Sequence, residues 1–282
     1  MKKIWCTAGA VLLAFPTFAQ ETMKGRPASF QTQDGWSISA LYQAATAPEQ
    51  KTVLLLHDAG KTHTDFASFA AKLAEKGFGS LALDLRGHGK STGKGVYTSF
   101  AKEGVDNDYN KMTRDINAAM DYLKGKGVAE EDVFFVGAGL GANVAAKSAS
   151  LWPSVAGVAL LTPVTNFRDV LPISALRVYK GNIFIAAAAD DKKPFLEASV
   201  IRNVAFLSSG EGKVTFATAY DKKGHELLDR WVSAELLQWL QTPQKPELKP
   251  DVIETEEDPY DGAYEEVAPS TTEEALFPSI LE

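Results

Sequence analysis

The sequence predicts an α/β protein with one mostly parallel central sheet and helices on both of its faces. Short, continuously apolar segments recur along the chain, as expected for strands that are covered on both faces. Segments with apolar residues at helical spacing lie between them, and this alternation favours parallel strands joined by helices. The predicted strands are residues 53–56, 80–84, 133–136, 158–161, 183–186 and 214–217.

The other elements follow from turn signals and helical periodicity. Residues 30–42 indicate two strands around an Asp-Gly turn. Residues 85–110 are rich in glycine, serine and charge, which predicts a loop over one end of the sheet. Only about twenty residues separate the strands 158–161 and 183–186, so the connection has no room for a large lid. Helices are predicted over residues 66–77 and 112–125, directly after residue 139, and over residues 227–240.

The first nineteen residues have the pattern of a secretory signal peptide. Lys2 and Lys3 precede an apolar stretch over residues 4–15, and Thr17 and Ala19 are the small residues of a cleavage site. The apolar stretch is too short for a stable membrane anchor, although an uncleaved anchor is the alternative. Cys6 is the only cysteine, so the mature chain would have no disulfide and no thiol nucleophile. These features predict secretion, with the bacterial periplasm as the expected compartment.

The last forty residues differ in composition from the rest of the chain. Residues 243–282 hold twelve acidic residues, two lysines and six of the thirteen prolines. Such a segment buries too little apolar area to offset its ordering entropy, which predicts a disordered tail that could bind a protein partner. Residues 20–242, the predicted domain, are nearly neutral and show no nucleic-acid footprint. No metal or cofactor motif is evident, because the tail acids lack the spacing of a calcium loop.

A glycine turn over residues 133–143 is the strongest motif. An apolar strand enters Gly137-Ala138-Gly139-Leu140-Gly141, and an alanine-rich helical segment follows. The small residues at 137 and 141 are expected to let the strand end and the helix start pack closely. The glycine spacing does not match the Gly-x-Gly-x-x-Gly pattern of dinucleotide-binding loops.

Three further motifs occur in a fixed order around this turn, and together the four resemble the α/β-hydrolase superfamily. His57-Asp58-Ala59-Gly60 resembles the family's His-Gly-x-Gly oxyanion loop, and residues 84–91 resemble its Asp-x-Arg-Gly-x-Gly-x-Ser turn. Gly224-His225 follows the last predicted strand, as the family's histidine does. The glycine turn is similar to the nucleophile elbow, Gly-x-Ser-x-Gly, but residue 139 is glycine where the family has its serine.

The resemblance implies a role for each of these positions. Gly139 occupies the nucleophile position without a side chain, and the backbone N–H groups of Ala59 and Leu140 would form the oxyanion hole. His225 would be the general base. Asp191, with Asp190 as the alternative, would be the acid that orients it. For Arg86 and His88, in the turn 84–91, a structural role is expected.

Two functions remain open from the sequence. Without a serine the protein is expected to be a pseudoenzyme that binds a small-molecule ligand, of the acyl or ester type, or a partner. The alternative is an enzyme in which a His225–Asp191 dyad acts as a general base beside the oxyanion hole, for ester hydrolysis or related chemistry. If the chain has the α/β-hydrolase fold, Gly139→Ser alone is expected to place a hydroxyl near His225 and to create ester hydrolysis. The substitution should lower the free energy of unfolding by about 1–3 kcal/mol.

Deleting residues 243–282 is predicted to leave the melting temperature of the domain almost unchanged, because a polar tail contributes little to a core. Calorimetry of residues 20–242 and 20–282 under the same conditions measures the difference. A decrease of many degrees would contradict the prediction, since it would mean that the tail contributes apolar contacts to the folded domain.

Overall fold

The central sheet has eight strands. The computed structural model describes residues 24–229 and 231–242. The strands are β1 (Arg26–Gln31), β2 (Ser37–Gln43), β3 (Thr52–Leu56), β4 (Gly79–Leu83), β5 (Val133–Ala138), β6 (Gly157–Leu161), β7 (Ile183–Ala188) and β8 (Val214–Ala219). Their order is β1-β2-β4-β3-β5-β6-β7-β8. β2 is antiparallel to β1 and β4, and the other neighbouring strands are parallel.

Six α-helices cover the two faces of this sheet. They are α1 (Ala67–Glu75), α2 (Thr113–Gly125), α3 (Leu140–Ala149), α4 (Pro172–Val178), α5 (Lys192–Ser209) and α6 (Trp231–Gln241). Helices α2 to α5 pack on one face and α1 and α6 on the other, so that each face has its own hydrophobic core. The predicted fold class is therefore confirmed.

The alternation of side chains along β3 shows why its apolar run is continuous. Leu54 and Leu56 belong to the core under α2 and α3, whereas Val53 and Leu55 belong to the core under α1 and α6. Because successive side chains of a strand point to opposite faces, a strand covered on both sides needs an apolar residue at every position. β4, β5, β6 and β7 are likewise buried along their whole length.

The close packing predicted at the glycine turn is also confirmed. A Cβ atom at Gly137 would lie 2.2 Å from the carbonyl oxygen of Gly141, and one at Gly141 would lie 2.1 Å from the carbonyl oxygen of Leu56. Neither distance is compatible with a side chain. These two glycines let β3, β5 and the start of α3 approach one another at the carboxyl end of the sheet.

Two helices, α4 and α5, have no counterpart among the elements predicted from sequence. α5 buries Ala198, Ile201 and Ala205 but exposes Leu196 and Leu207. With apolar residues on both its buried and its exposed sides, the helix lacks the stripe that identifies an amphipathic segment. α4 has only seven residues and lies in the short connection between β6 and β7, in agreement with the absence of room for a large lid.

A buried arginine fixes the turn that follows β4. The guanidinium of Arg86 donates to the carboxylate of Asp115 on α2, with Nε 2.8 Å from Oδ1, and its terminal nitrogens donate to Asp34 at 2.7 and 3.1 Å. Burial alone would lower the pKa of Arg86, but the charges of Asp115 and Asp34 raise it above its ordinary value. Arg86 therefore has the structural role expected from sequence, because it joins the β1–β2 turn, the β4 turn and α2.

The two chain ends lie outside the described residues, so the signal peptide over residues 1–19 and the disordered tail over residues 243–282 stay predictions. Within the described part of the chain, no helix is long and apolar enough to cross a membrane.

Replacing Asp115 by alanine is predicted to lower the free energy of unfolding by about 3–5 kcal/mol, because the substitution leaves a buried cation with half of its partners. Urea unfolding measures the change. Asp121→Ala on the exposed side of the same helix is the matched control and is expected to stay within about 0.5 kcal/mol of the unmodified protein. Equal effects of the two substitutions would contradict the assigned role of the ion pair.

Candidate active site

The elbow residue lies on a sharp turn between β5 and α3. Gly139 has φ +53° and ψ −116°, a conformation that any residue with a side chain adopts only under strain. Its N–H group donates to the carbonyl oxygen of Leu161 at 2.9 Å, which ties the turn to the end of β6. The backbone thus has the form of a nucleophile elbow, with no side chain at its tip.

The carboxylate of Asp58 occupies the space beside this turn. Its Oδ1 atom accepts a hydrogen bond from the N–H of Ala59 at 2.7 Å and a second from the N–H of Leu140 at 2.8 Å. The structure therefore brings together the two N–H groups assigned to the oxyanion hole. Their common acceptor is a side chain of the protein itself.

The carboxylate of Asp58 fills the space that a side chain at position 139 would occupy. A Cβ atom at Gly139 would lie 2.1 Å from both Cγ and Oδ1 of Asp58. The sequence-based expectation for Gly139→Ser is corrected by this contact. A serine at 139 cannot be accommodated beside the N–H pair unless the carboxylate first moves away.

A buried histidine fixes the backbone at Asp58. The Nε2 atom of His57 accepts from the N–H of Leu85 at 3.0 Å, so its proton is on Nδ1, which donates to the carbonyl oxygen of Asp58 at 2.7 Å. Burial lowers the pKa of His57 to about 4, although the bond to Asp58 opposes the shift. The imidazole is therefore neutral at pH 7 and serves as a fixed link between the loop after β3 and the turn after β4.

The turn 84–91 is hydrogen-bonded to the loop that follows β3. The carboxylate of Asp84 accepts from the backbone N–H groups of His63 at 3.0 Å and Lys90 at 2.9 Å, and its Oδ1 lies 2.7 Å from Nδ1 of His63. His88 is buried, stacks on the ring of Tyr97 at 4.2 Å, and has a pKa lowered by that burial. The structural role expected for His88 is confirmed, and His63 is bound to Asp84.

The loop that carries His225 is anchored close to the elbow. Thr162, directly after β6, accepts a hydrogen bond on its Oγ1 from the N–H of Gly224 at 2.9 Å. A Cβ atom at Gly224 would lie 3.9 Å from Oδ2 of Asp58. The residue before His225, the elbow and Asp58 therefore meet at the carboxyl end of the sheet, where parallel α/β folds place their ligand sites.

The two candidate acids follow β7 but are not hydrogen-bonded to the histidine. Within residues 24–229 and 231–242, His225 has no hydrogen-bond partner. Both carboxylate oxygens of Asp190 accept from the N–H of Asp221, at 3.1 and 3.0 Å. Asp191 precedes α5 and makes no side-chain capping bond there. Both aspartates line an open polar cavity together with Asp221 and Glu226.

Asp58 is the site residue that sequence reasoning missed. The signal was present, because the loop reads His57-Asp58-Ala59-Gly60 where the pattern it resembles has glycine at the second position. Glycine at that position leaves the N–H pair open, whereas aspartate supplies an acceptor of its own. No group of three or more metal-binding side chains occurs within the described ranges.

The sequence pattern of the serine aminopeptidase S33 family matches residues 47–228, which is more than half of the chain and includes all the site positions above. The chain belongs to this family. The family description names a serine enzyme, and this member has glycine at the elbow position. No curated protein matches the chain at a significant level.

Solved structures of the same fold include several esterases. The esterase Pf2001 of Pyrococcus furiosus superposes with a TM-score of 0.63 at 15% identity, covering 83% of this chain and 96% of that chain. An esterase of Exiguobacterium antarcticum gives 0.58 at 16% identity, with 76% and 99% covered. RhEst1 from Rhodococcus sp. ECU1013 gives 0.59 at 15% identity, with 77% and 99% covered. At these identities the likeness establishes the fold alone.

The contact between Asp58 and residue 139 predicts a non-additive double-mutant cycle. Gly139→Ala is expected to lower the free energy of unfolding by more than about 3 kcal/mol, since it combines backbone strain with displacement of a hydrogen-bonded carboxylate. In an Asp58→Gly background the same change should cost about 1–3 kcal/mol less, because only the strain remains. Urea unfolding of the four proteins measures this coupling.

Gly127→Ala provides the control for strain alone. Gly127 has φ +83° and no atom within 4 Å of an added Cβ. The cost of this substitution should be the same with and without Asp58. Additive effects of Gly139→Ala and Asp58→Gly would contradict the position of the carboxylate.

Proposed function

We propose that this protein binds a small-molecule ligand at the carboxyl end of the sheet, beside the elbow, without hydrolysing it, as a pseudoenzyme of the serine aminopeptidase family. The observation that carries the proposal is the pair of hydrogen bonds from Ala59 and Leu140 to the Asp58 carboxylate. The esterases of the same fold suggest an acyl or ester compound as the type of ligand.

Acyl transfer needs two things that this site lacks. It needs a nucleophile at the elbow, and residue 139 has no side chain. It also needs free N–H donors where negative charge develops on the substrate's carbonyl oxygen, and here those donors already bind a carboxylate. A substrate oxyanion would meet the charge of Asp58 in place of the donors, so the transition state would be repelled where it should be stabilised.

The surroundings of His225 favour ligand binding over general-base catalysis, because no carboxylate in the described part of the chain orients its imidazole. A general base is effective when a carboxylate fixes its tautomer and stabilises its charged form. Among the described residues no carboxylate hydrogen-bonds to His225, and Asp190 is engaged by the backbone of Asp221. We further propose that the protein acts after export to the bacterial periplasm, on the basis of the signal-peptide pattern in residues 1–19.

The protein spanning residues 20–282 is predicted to show no burst phase with an activated ester and no labelling by a fluorophosphonate. A burst requires a nucleophile that attacks the acyl carbon, labelling requires one that attacks phosphorus, and the elbow has no side chain that could do either. The double variant Asp58→Gly/Gly139→Ser, which frees the N–H pair and restores a hydroxyl, is expected to gain fluorophosphonate labelling at residue 139. Gly139→Ser alone should gain much less.

The contribution of the histidine is measured by adding His225→Ala to the double variant, which should reduce the labelling rate. Stoichiometric labelling of a serine in the unmodified protein would overturn the proposal, since it would reveal a nucleophile elsewhere in the site.

A further inference from the structure

A polar cavity of about 640 Å³ lies at the carboxyl end of the sheet. Its lining residues come from three segments that follow parallel strands: residues 102–104 after β4, residues 165–169 after β6, and the first turn of α5 after β7. Parallel α/β folds place their ligands outside the carboxyl ends of the strands. The sheet therefore brings three distant parts of the chain together at the end where a ligand is expected.

Arg168 is held at this cavity by a tight turn in an unfavourable backbone conformation. Phe167 and Val170 exchange backbone hydrogen bonds of 2.8 and 3.4 Å, and between them Arg168 and Asp169 have φ +50° and +65°. A two-residue turn with both central residues at positive φ favours asparagine and glycine. The side chain of Asn107 fixes the turn by donating to the carbonyl oxygen of Arg168 at 2.7 Å. An arginine in such a turn costs backbone free energy, and strain of this kind is found where a side chain is needed for function.

Two cations of the cavity are free, whereas two of its acids are engaged. Within residues 24–229 and 231–242, neither the guanidinium of Arg168 nor the ammonium of Lys102 has a hydrogen bond or ion pair. The carboxylates of Asp169 and Glu197 accept backbone N–H groups at 2.6 and 2.9 Å, and Glu197 also lies 3.9 Å from the ammonium of Lys193. The free positive charges are thus left without a protein acceptor at the cavity.

From this arrangement we propose that the cavity binds an anionic small molecule through a carboxylate or phosphate group, with Arg168 as the main contact and Lys102 as a second charge. A guanidinium presents its N–H donors in a fork that matches these two groups, and such charge-assisted hydrogen bonds are stronger than neutral ones. The inference rests on the proposed function and deepens it, because it makes the ligand an anion and not a neutral ester.

The test is an NMR titration of isotope-labelled protein, residues 20–282, with butyrate, butyl phosphate and methyl butyrate. The amide signals of Gly104 and Asn166, which line the cavity, report binding. We expect saturable shifts with the anions and none with the uncharged ester. The relative affinity of butyrate and butyl phosphate then distinguishes a carboxylate ligand from a phosphate ligand.

Variants of opposite charge effect give the test its sign. Arg168→Asn should weaken anion binding about tenfold, because it removes charge-assisted hydrogen bonds. Arg177→Asn, at an exposed arginine of α4 outside the cavity, is the matched control and should leave the affinity unchanged. Glu103→Gln should strengthen binding, because it removes a negative charge from the lining.

The melting temperature excludes a purely structural role for the arginine. Asparagine tolerates positive φ, so Arg168→Asn should fold and should not lower the melting temperature. A decrease of several degrees with unchanged anion affinity would overturn the inference, because the arginine would then stabilise the turn and not a ligand. An affinity that does not increase in Glu103→Gln would also overturn it, and this measurement needs no change in the turn.

The same samples separate this inference from the proposed function. Methanol released from methyl butyrate would show ester hydrolysis, which contradicts the proposed function and leaves the anion site in place. Binding of methyl butyrate as tight as that of the two anions would overturn the anion site and leave non-hydrolytic binding in place.

Discussion

The contact on which the site depends is the hydrogen bonding of one carboxylate oxygen by two backbone N–H groups from different parts of the chain. Asp58 and Leu140 are 82 positions apart in sequence, and their bond is 2.8 Å long. It forms because β3 and β5 are neighbours that end at the same edge of the sheet. Neutral, buried His57 holds the backbone from below, and the glycine at the elbow leaves room for the carboxylate.

Gly139 and Asp58 are best understood as one feature. A serine at the elbow and an aspartate in the oxyanion loop compete for the same volume, since the two would approach to 2.1 Å. With glycine alone, the N–H groups would be left without a protein acceptor beside an empty space, and both conditions are unfavourable at a partly buried site. The aspartate removes both problems. Glycine at the elbow and aspartate at position 58 are therefore mutually compatible, whereas either one alone would be unfavourable.

The loops that surround the site are held by buried hydrogen bonds that do not involve Asp58 or Gly139. Buried Asn143 on α3 donates to the carbonyl oxygens of Val164 and Val170 at 2.8 and 2.9 Å and accepts from the N–H of Val164, which fixes the loop after β6. Arg86 fixes the turn after β4 in the same way. Because these contacts stabilise the fold away from residues 58 and 139, the hydrolase fold does not depend on which side chains occupy those two positions.

The sequence alone was sufficient to predict the strands that are buried on both faces and the glycines that have no room for a side chain. The strands 53–56 and 133–136 are apolar at every position because both of their faces are covered, and the glycines at 137 and 141 could be recognised because only glycine fits there. α5 was not predicted, since its apolar residues lie on exposed and buried sides alike. The direction of the Asp58 side chain was decided by tertiary structure alone. Its acceptor role depends on an N–H group brought close by the parallel pairing of two distant strands, and no local pattern encodes that distance.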